Sequence, residues 1–307
     1  MKMSNIITCV LIISIGCFAQ SETGKGNEAL LKGKPGMITY EGKNYKTVKI
    51  GKQVWLAENL NYKNSSKYGS NICAGCEDFG RLYTWNSAMA IQPEAKENYD
   101  MESRTEGRPI SKKHQGICPT GWHIPTVTEL KDLLVFVEVQ IYRYAGKWQD
   151  SNLDYLKNEI EGLFFPYDGG RSQFILGVMN NYGLAFIEPE FWAGDFGEYV
   201  NSFGLSIRSS GTGKDRELDK CVPGQILTDF NTGKSTCCSE GCAGDHFAMW
   251  LADENTSCQD KVKRGRHSCE YAPKAALFTF QQYAGDFLLD VDWKYKNSYA
   301  SVRCLKD

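Results

Sequence analysis

The sequence predicts an α+β domain stapled by disulfides, on three observations. Short alternating apolar segments split by turn residues come first, and two amphipathic helical patterns follow. After Gly162 the chain breaks into short aromatic and aliphatic runs separated by Gly, Asp and Asn, which reads as irregular β structure. Of 12 cysteines, Cys9 and Cys17 fall in the first 19 residues, which leaves 12 − 2 = 10, an even set. Even cysteine numbers in an oxidising compartment point to disulfides.

The elements follow in chain order. Lys2, the apolar run Ile6 to Gly16 and the small residues Cys17 and Ala19 form a secretory signal over 1–19. The run is shorter than the roughly 20 residues that a bilayer span requires. A second reading takes Ser14-Ile15-Gly16-Cys17 as a lipobox, with Cys17 lipidated and the protein anchored in the envelope. Either way the expected location is secreted or cell-surface, with no span left after signal cleavage. Residues 20–36 are polar and rich in Gly and Lys, and read as a flexible leader. The folded domain is then expected over 37–307. Its first segment, Ile38 to Trp55, alternates as short strands with turns at Glu41-Gly42 and Gly51-Lys52. Leu82 to Ala90 reads as a short helix. The clearest helix runs from Thr126 to about Tyr142: Thr126 and Glu129 form a capping box, and Val127, Leu130, Leu133, Leu134 and Val137 share one face. Ser151 to Glu161 is a second helix, with Leu153, Leu156 and Ile160 inward. The stretch 204–269 holds six cysteines among Gly, Lys, Asp and Ser and reads as a loop-rich insertion. No internal repeat is visible. The formal net charge of -2 lacks the basic footprint of a nucleic-acid partner, and 42% hydrophobic residues are enough for a core.

Four blocks in order, YKTVKIGKQVWLAENLNY (45–62), GRLYTWNSAM (80–89), GICPTGWHIPTVTEL (116–130) and SVRCLKD (301–307), resemble the Fibrobacter succinogenes major paralogous domain, a bacterial exported family. NNYGLAF (180–186) and FAMWLADEN (247–255) are weaker matches in the same order. The resemblance implies a relative of the C-type lectin-like fold, in which two helices flank a small, twisted, loop-rich antiparallel β structure. It implies no defined biochemical activity. It also implies that Cys118 pairs with Cys304, and it places a cysteine pair just before the GRLYTW block. The cysteine-rich stretch 221–269 is longer than the family pattern and reads as specific to this branch.

Cys73 and Cys76 form a C-x-x-C pair. Redox or zinc chemistry is the alternative, but no βαβ context surrounds the pair, and a local staple is the stronger reading. Cys221, Cys237, Cys238, Cys242, Cys258 and Cys269, with His246 and His267 nearby, could be imagined as a zinc cluster. Export favours three disulfides instead, among 15 pairings that the sequence does not choose between.

For catalysis the sequence offers little. No nucleophile elbow, H-E-x-x-H helix, P-loop or dinucleotide glycine pattern occurs. His123 reads as a buried histidine that orients the start of the helix, rather than as a general base. For binding, Glu188-Pro189-Glu190 resembles a lectin-type sugar motif without its amide, followed by Trp192. Asp253 after Trp250 and the group Asp286, Asp290 and Asp292 are further oxygen-rich stretches, and calcium would require roughly six to eight such oxygens. Loop aromatics, with Tyr283 among them, can stack on sugars, whereas Trp55, Trp85 and Trp122 belong to the core. The expected ligand set is Glu188, Glu190, Trp192, Trp250, Asp253 and Tyr283. The expected function is a non-catalytic binding or adhesion domain for a surface polysaccharide or a protein partner. The alternatives are a polysaccharide-acting enzyme with a carboxylate pair and a structural envelope lipoprotein.

Overall fold

The alternation of Ile38 to Trp55 becomes three antiparallel strands in the computed structural model: β1 (Lys34–Tyr40), β2 (Lys43–Ile50) and β3 (Gln53–Leu56). The structure describes residues 32–64, 70–73, 76–91, 113–161, 186–188, 201–208, 210, 213–214, 226–229, 234–237, 246–254, 274–283 and 286–307. The export signal and most of the expected leader lie outside these residues. The turns sit at the expected positions, with positive φ at Glu41, Gly42 and Gly51. The first strand begins at Lys34, ahead of Met37. Its one proline, Pro35, is tolerated because β1 is the edge of its sheet.

Next come β4 (Asn71–Ile72), α1 (Cys76–Phe79), β5 (Leu82–Tyr83), α2 (Trp85–Ala88) and β6 (Trp122–His123). The expected single helix over 82–90 is therefore a strand followed by one helical turn. Tyr83 is drawn out of the helix because its backbone exchanges hydrogen bonds with Ala300 in both directions, at 2.8 and 3.0 Å. Gly80 allows the preceding turn: its φ is +74°, and a Cβ there would lie 2.6 Å from that of Asn59.

The long helix α3 (Val127–Tyr144) starts as predicted, with Thr126 at the N-cap and both halves of the capping box made. A 3₁₀ turn (Asp150–Asn152) leads into α4 (Leu153–Glu161), where Leu156 and Ile160 are buried and Leu153 is half-buried. The remaining strands are β7 (Gly213–Lys214), β8 (Ile226–Asp229), β9 (Lys234–Cys237), β10 (His246–Glu254), β11 (Lys274–Tyr283), β12 (Asp286–Tyr295), β13 (Ser298–Tyr299) and β14 (Leu305–Lys306). Two larger sheets, β1-β2-β3-β14-β6 and β10-β11-β12, and three two-stranded ones, β4-β5, β7-β13 and β8-β9, take up the described strands, with antiparallel pairing in every ladder.

Over residues 247–252, β10 is buried on both faces. Along β10, Phe247, Met249 and Leu251 enter one apolar cluster with the α3 residues Leu130, Leu133, Leu134 and Val137. The alternate residues Ala248, Trp250 and Ala252 enter a second cluster with Tyr83, Trp85, Cys118, Trp122 and Val302. A strand covered on both faces loses the polar alternation that marks a half-exposed one. Within the expected insertion at 204–269, residues 247–252 lie between the two apolar clusters, and Leu205 and Ile207 are buried as well. Trp55, Trp85 and Trp122 are core residues, as predicted.

Both short-range and long-range staples form. Cys73 bonds Cys76 and Cys118 bonds Cys304, with Cα atoms 4.9 and 5.8 Å apart. The six cysteines from Cys221 to Cys269 lie outside the described residues, except that the backbone of Cys237 ends β9. No described helix is long and apolar enough to cross a membrane.

One core position breaks the apolar pattern of α3. Glu138 is 1% exposed, and neither carboxylate oxygen has a hydrogen-bond partner among the described residues. Burial pushes its pKa up to about 8. A carboxyl raised in the folded state stabilises the fold below its unfolded value, and that stability is lost as pH rises through the folded value. The expected result is that Glu138→Gln matches the parent at pH 4 but is about 3 kcal/mol more stable at pH 7, read from urea melts. Equal stability differences at both pH values would refute it.

Candidate functional site

The polar residues singled out in the sequence converge on two places. The first is the entrance to α3. His123, on β6, is 1% exposed and lies between two carboxylates, with Nε2 2.9 Å from Glu129 Oε1 and Nδ1 2.7 Å from Asp307 Oδ1. Glu129 Oε2 accepts from the Thr126 backbone N–H at 2.9 Å and from the Thr126 hydroxyl at 2.8 Å. Asp253, at the end of β10, accepts the Val127 N–H through Oδ2 at 2.7 Å. Together these carboxylates satisfy the backbone donors that a helix start leaves open, and they sit where the helix dipole favours negative charge.

Burial alone would lower the His123 pKa, but the hydrogen bonds and charges of Glu129 and Asp307 outweigh it and raise the value. Burial likewise opposes the shift at Glu129, yet its bonds to His123 and Thr126 hold its pKa below the ordinary carboxylate value. A raised histidine contributes stability that is present below its unfolded value and lost as pH rises through the folded one. The result is a buried ring, bonded at both nitrogens, that ties the last strand to the helix start, the orienting role expected of it. With both ring nitrogens bonded and the ring shielded from solvent, His123 is not placed to take a substrate proton.

Asp253 and Trp250 need correction as ligand residues. Asp253 is a helix cap, and burial raises its pKa while the Val127 bond opposes the rise. Trp250 is 0% exposed, and its indole N–H donates to Tyr83 O at 2.7 Å. It is a core tryptophan because the alternation of β10 turns it into the second apolar cluster.

The second place is the 186–188 and 201–208 segment. Ile187 and Ile207 form an isolated parallel bridge there. Glu188 pairs with Arg208, with Oε2 2.6 Å from Nε and Oε1 3.2 Å from Nη2. Arg208 Nη1 also donates to Asp78 O at 2.6 Å. Beneath it lies Arg303, 1% exposed. Its Nε donates to Asn59 Oδ1 at 2.7 Å, Nη2 to Ser206 O at 2.8 Å, and Nη1 to Leu205 O. Burial, then the neighbouring Arg208 charge, lowers the Arg303 pKa to about 9. Glu188 is thus held by an internal guanidinium, not left open for a cation.

Glu190 and Trp192 lie outside the described residues. Tyr283 is the last residue of β11, and its side chain lies outside them too. In the third acidic stretch, Asp292 Oδ1 accepts its neighbour's Trp293 N–H at 2.7 Å, and Oδ2 pairs with Lys294 at 2.6 Å. Among the described residues no group of three or more His, Cys, Asp or Glu is arranged to hold a metal ion. The core void beside Arg303 measures about 10 Å³ and is lined by apolar side chains such as Trp55, Leu130 and Phe278, too little room for a ligand.

Sequence reasoning missed two buried cations. One is Arg303. The other is Lys296, whose ammonium pairs with Glu254 and sits 4.2 Å above the Trp85 ring. Only the SVRC block carried a trace of the first, and nothing local marks the second.

A family model, the Fibrobacter succinogenes major domain, matches residues 48–306. No curated protein matches the chain, and no solved structure matches it.

Proposed function

The chain belongs to the Fibrobacter succinogenes major domain family, and from that premise we propose a non-catalytic binding domain of C-type-lectin-like kind, secreted or held at the cell surface. Its ligand is a surface polysaccharide. The observation that carries this reading is how Glu188 and Glu254 are anchored. The sequence segments 189–200 and 255–273, the first of which carries Glu190 and Trp192, start next to these two residues. Glu188 is clamped by Arg208, and Glu254 is buried against Lys296. A rigid two-cluster core that launches long segments from braced ends suits recognition, because ordering the scaffold in advance lowers the cost of binding. The carboxylates of Glu188 and Asp253 already have protein partners, which favours sugar stacking on aromatic rings over calcium-bridged binding.

The test is a pull-down of the purified protein on insoluble polysaccharides, with calcium and then with EDTA. Retention that EDTA leaves unchanged is the expected result. Release by EDTA would restore a calcium-bridged site, and no retention on any polysaccharide would overturn the carbohydrate reading in favour of a protein partner.

A further inference from the structure

We propose that Cys73–Cys76 is a thiol-exchange site, open at Cys73 to a low-molecular-weight thiol while Cys118–Cys304 stays closed, and that its state sets the grip on the 201–208 segment. The two disulfides differ in exposure and in the length of chain they close. Cys73 is exposed and Cys76 is buried. Cys118 and Cys304 are both 0% exposed, inside the second apolar cluster. A thiolate can therefore reach the Sγ of Cys73 in the folded protein, whereas the second bond becomes accessible only when the core opens. The Cys73–Cys76 bond closes a separation of only three residues, so breaking it releases little chain entropy and need not unfold the domain.

The exchange is balanced. The attacking thiolate forms a new S–S bond to Cys73, the bond to Cys76 breaks, and Cys76 leaves as a thiolate that takes a proton from water. A second thiol, or Cys76 itself, then resolves the mixed disulfide.

The coupling runs through α1, which the disulfide pins at its first residue. Two backbone carbonyls of this four-residue helix hold the framework of the candidate site. Phe79 O accepts from Asn59 Nδ2 at 2.8 Å, and the other end of that amide receives Arg303 Nε. Asp78 O accepts from Arg208 Nη1. Arg303 in turn holds Leu205 O and Ser206 O, and Arg208 holds Glu188. Freeing Cys76 from Cys73 removes the tether that positions both carbonyls, so the segment flanking Glu188 loses two of its fixed points. This inference does not depend on the ligand being a polysaccharide.

The experiment has two arms on the full chain. In the first, native protein is exposed to dithiothreitol, alkylated at intervals and mapped by mass spectrometry. Cys73 and Cys76 are expected to label at least about tenfold faster than Cys118 and Cys304. Labelling of both pairs at one rate, or of neither without denaturant, would overturn the exchange site. In the second arm, Cys73→Ser/Cys76→Ser is compared with the parent by hydrogen exchange, which keeps every other cysteine in place. Exchange at the Glu188, Ser206 and Ile207 amides is expected to rise several-fold while that of β10 and β11 stays unchanged. No rise at those three amides, or an equal rise throughout the core, would refute the coupling.

Discussion

Replacing Cys118 and Cys304 by alanine is expected to destabilise the fold by about 5 kcal/mol. The bond spans 186 positions, and in the chain-entropy model a cross-link of that reach removes a large share of the freedom of the unfolded chain. Its placement adds to this. It joins the residues before β6 to the residue before β14, the two strands that pair at Leu305 and His123. Once it is cut, the pairing of β14 with β3 and β6 and the His123–Asp307 contact must hold the last strand without covalent help. The change is read from urea melts of the double variant against the parent at pH 6. A loss under about 1 kcal/mol would mean that the unfolded chain is already held compact by other links.

Lys296→Met is expected to cost about 3 to 5 kcal/mol, the range seen when one partner of a buried ion pair is removed. Lys296 is 4% exposed and Glu254 is 7% exposed, so the carboxylate left behind cannot hydrate. The lysine also lies over the Trp85 ring, and the backbone N–H of Trp85 donates to Lys296 O at 2.9 Å. The loss therefore combines a broken buried ion pair with a lost cation–π contact. The double variant Lys296→Met/Glu254→Leu should recover most of the loss, because the costly state is a buried carboxylate without its ammonium and not the absence of the pair. If the double variant is as unstable as the single one, the pair is not the source of the effect. Thermal melts of the three proteins decide between these outcomes.

These two predictions rest on different kinds of information. The Cys118–Cys304 pair was readable from the chain through its family resemblance, and the capping box at Thr126 through local spacing alone. Lys296 was not readable. Its partner lies 42 residues away, across the whole of β11 and β12, and nothing near it departs from an ordinary surface lysine in sequence. Arg303 is more extreme, with its Asn59 contact 244 residues distant.

By itself the sequence determined the three opening strands and their turns, the start and inward face of α3, the burial of Trp55, Trp85 and Trp122, and the structural role of His123. Each is a matter of local geometry: side-chain period, turn residues with positive φ, and a side chain reaching three residues along a helix. Only the tertiary structure decided the fate of the charged and aromatic candidates. Trp250 became core, Asp253 became a helix cap, and Glu188 became the partner of Arg208. The physical reason is that an isolated carboxylate or indole in a sequence is compatible with solvent, ligand or core. The cost of burying it is removed only by a donor from another element, such as Val127 for Asp253 or Arg208 for Glu188. Those donors come together only when the second sheet is closed between two apolar clusters.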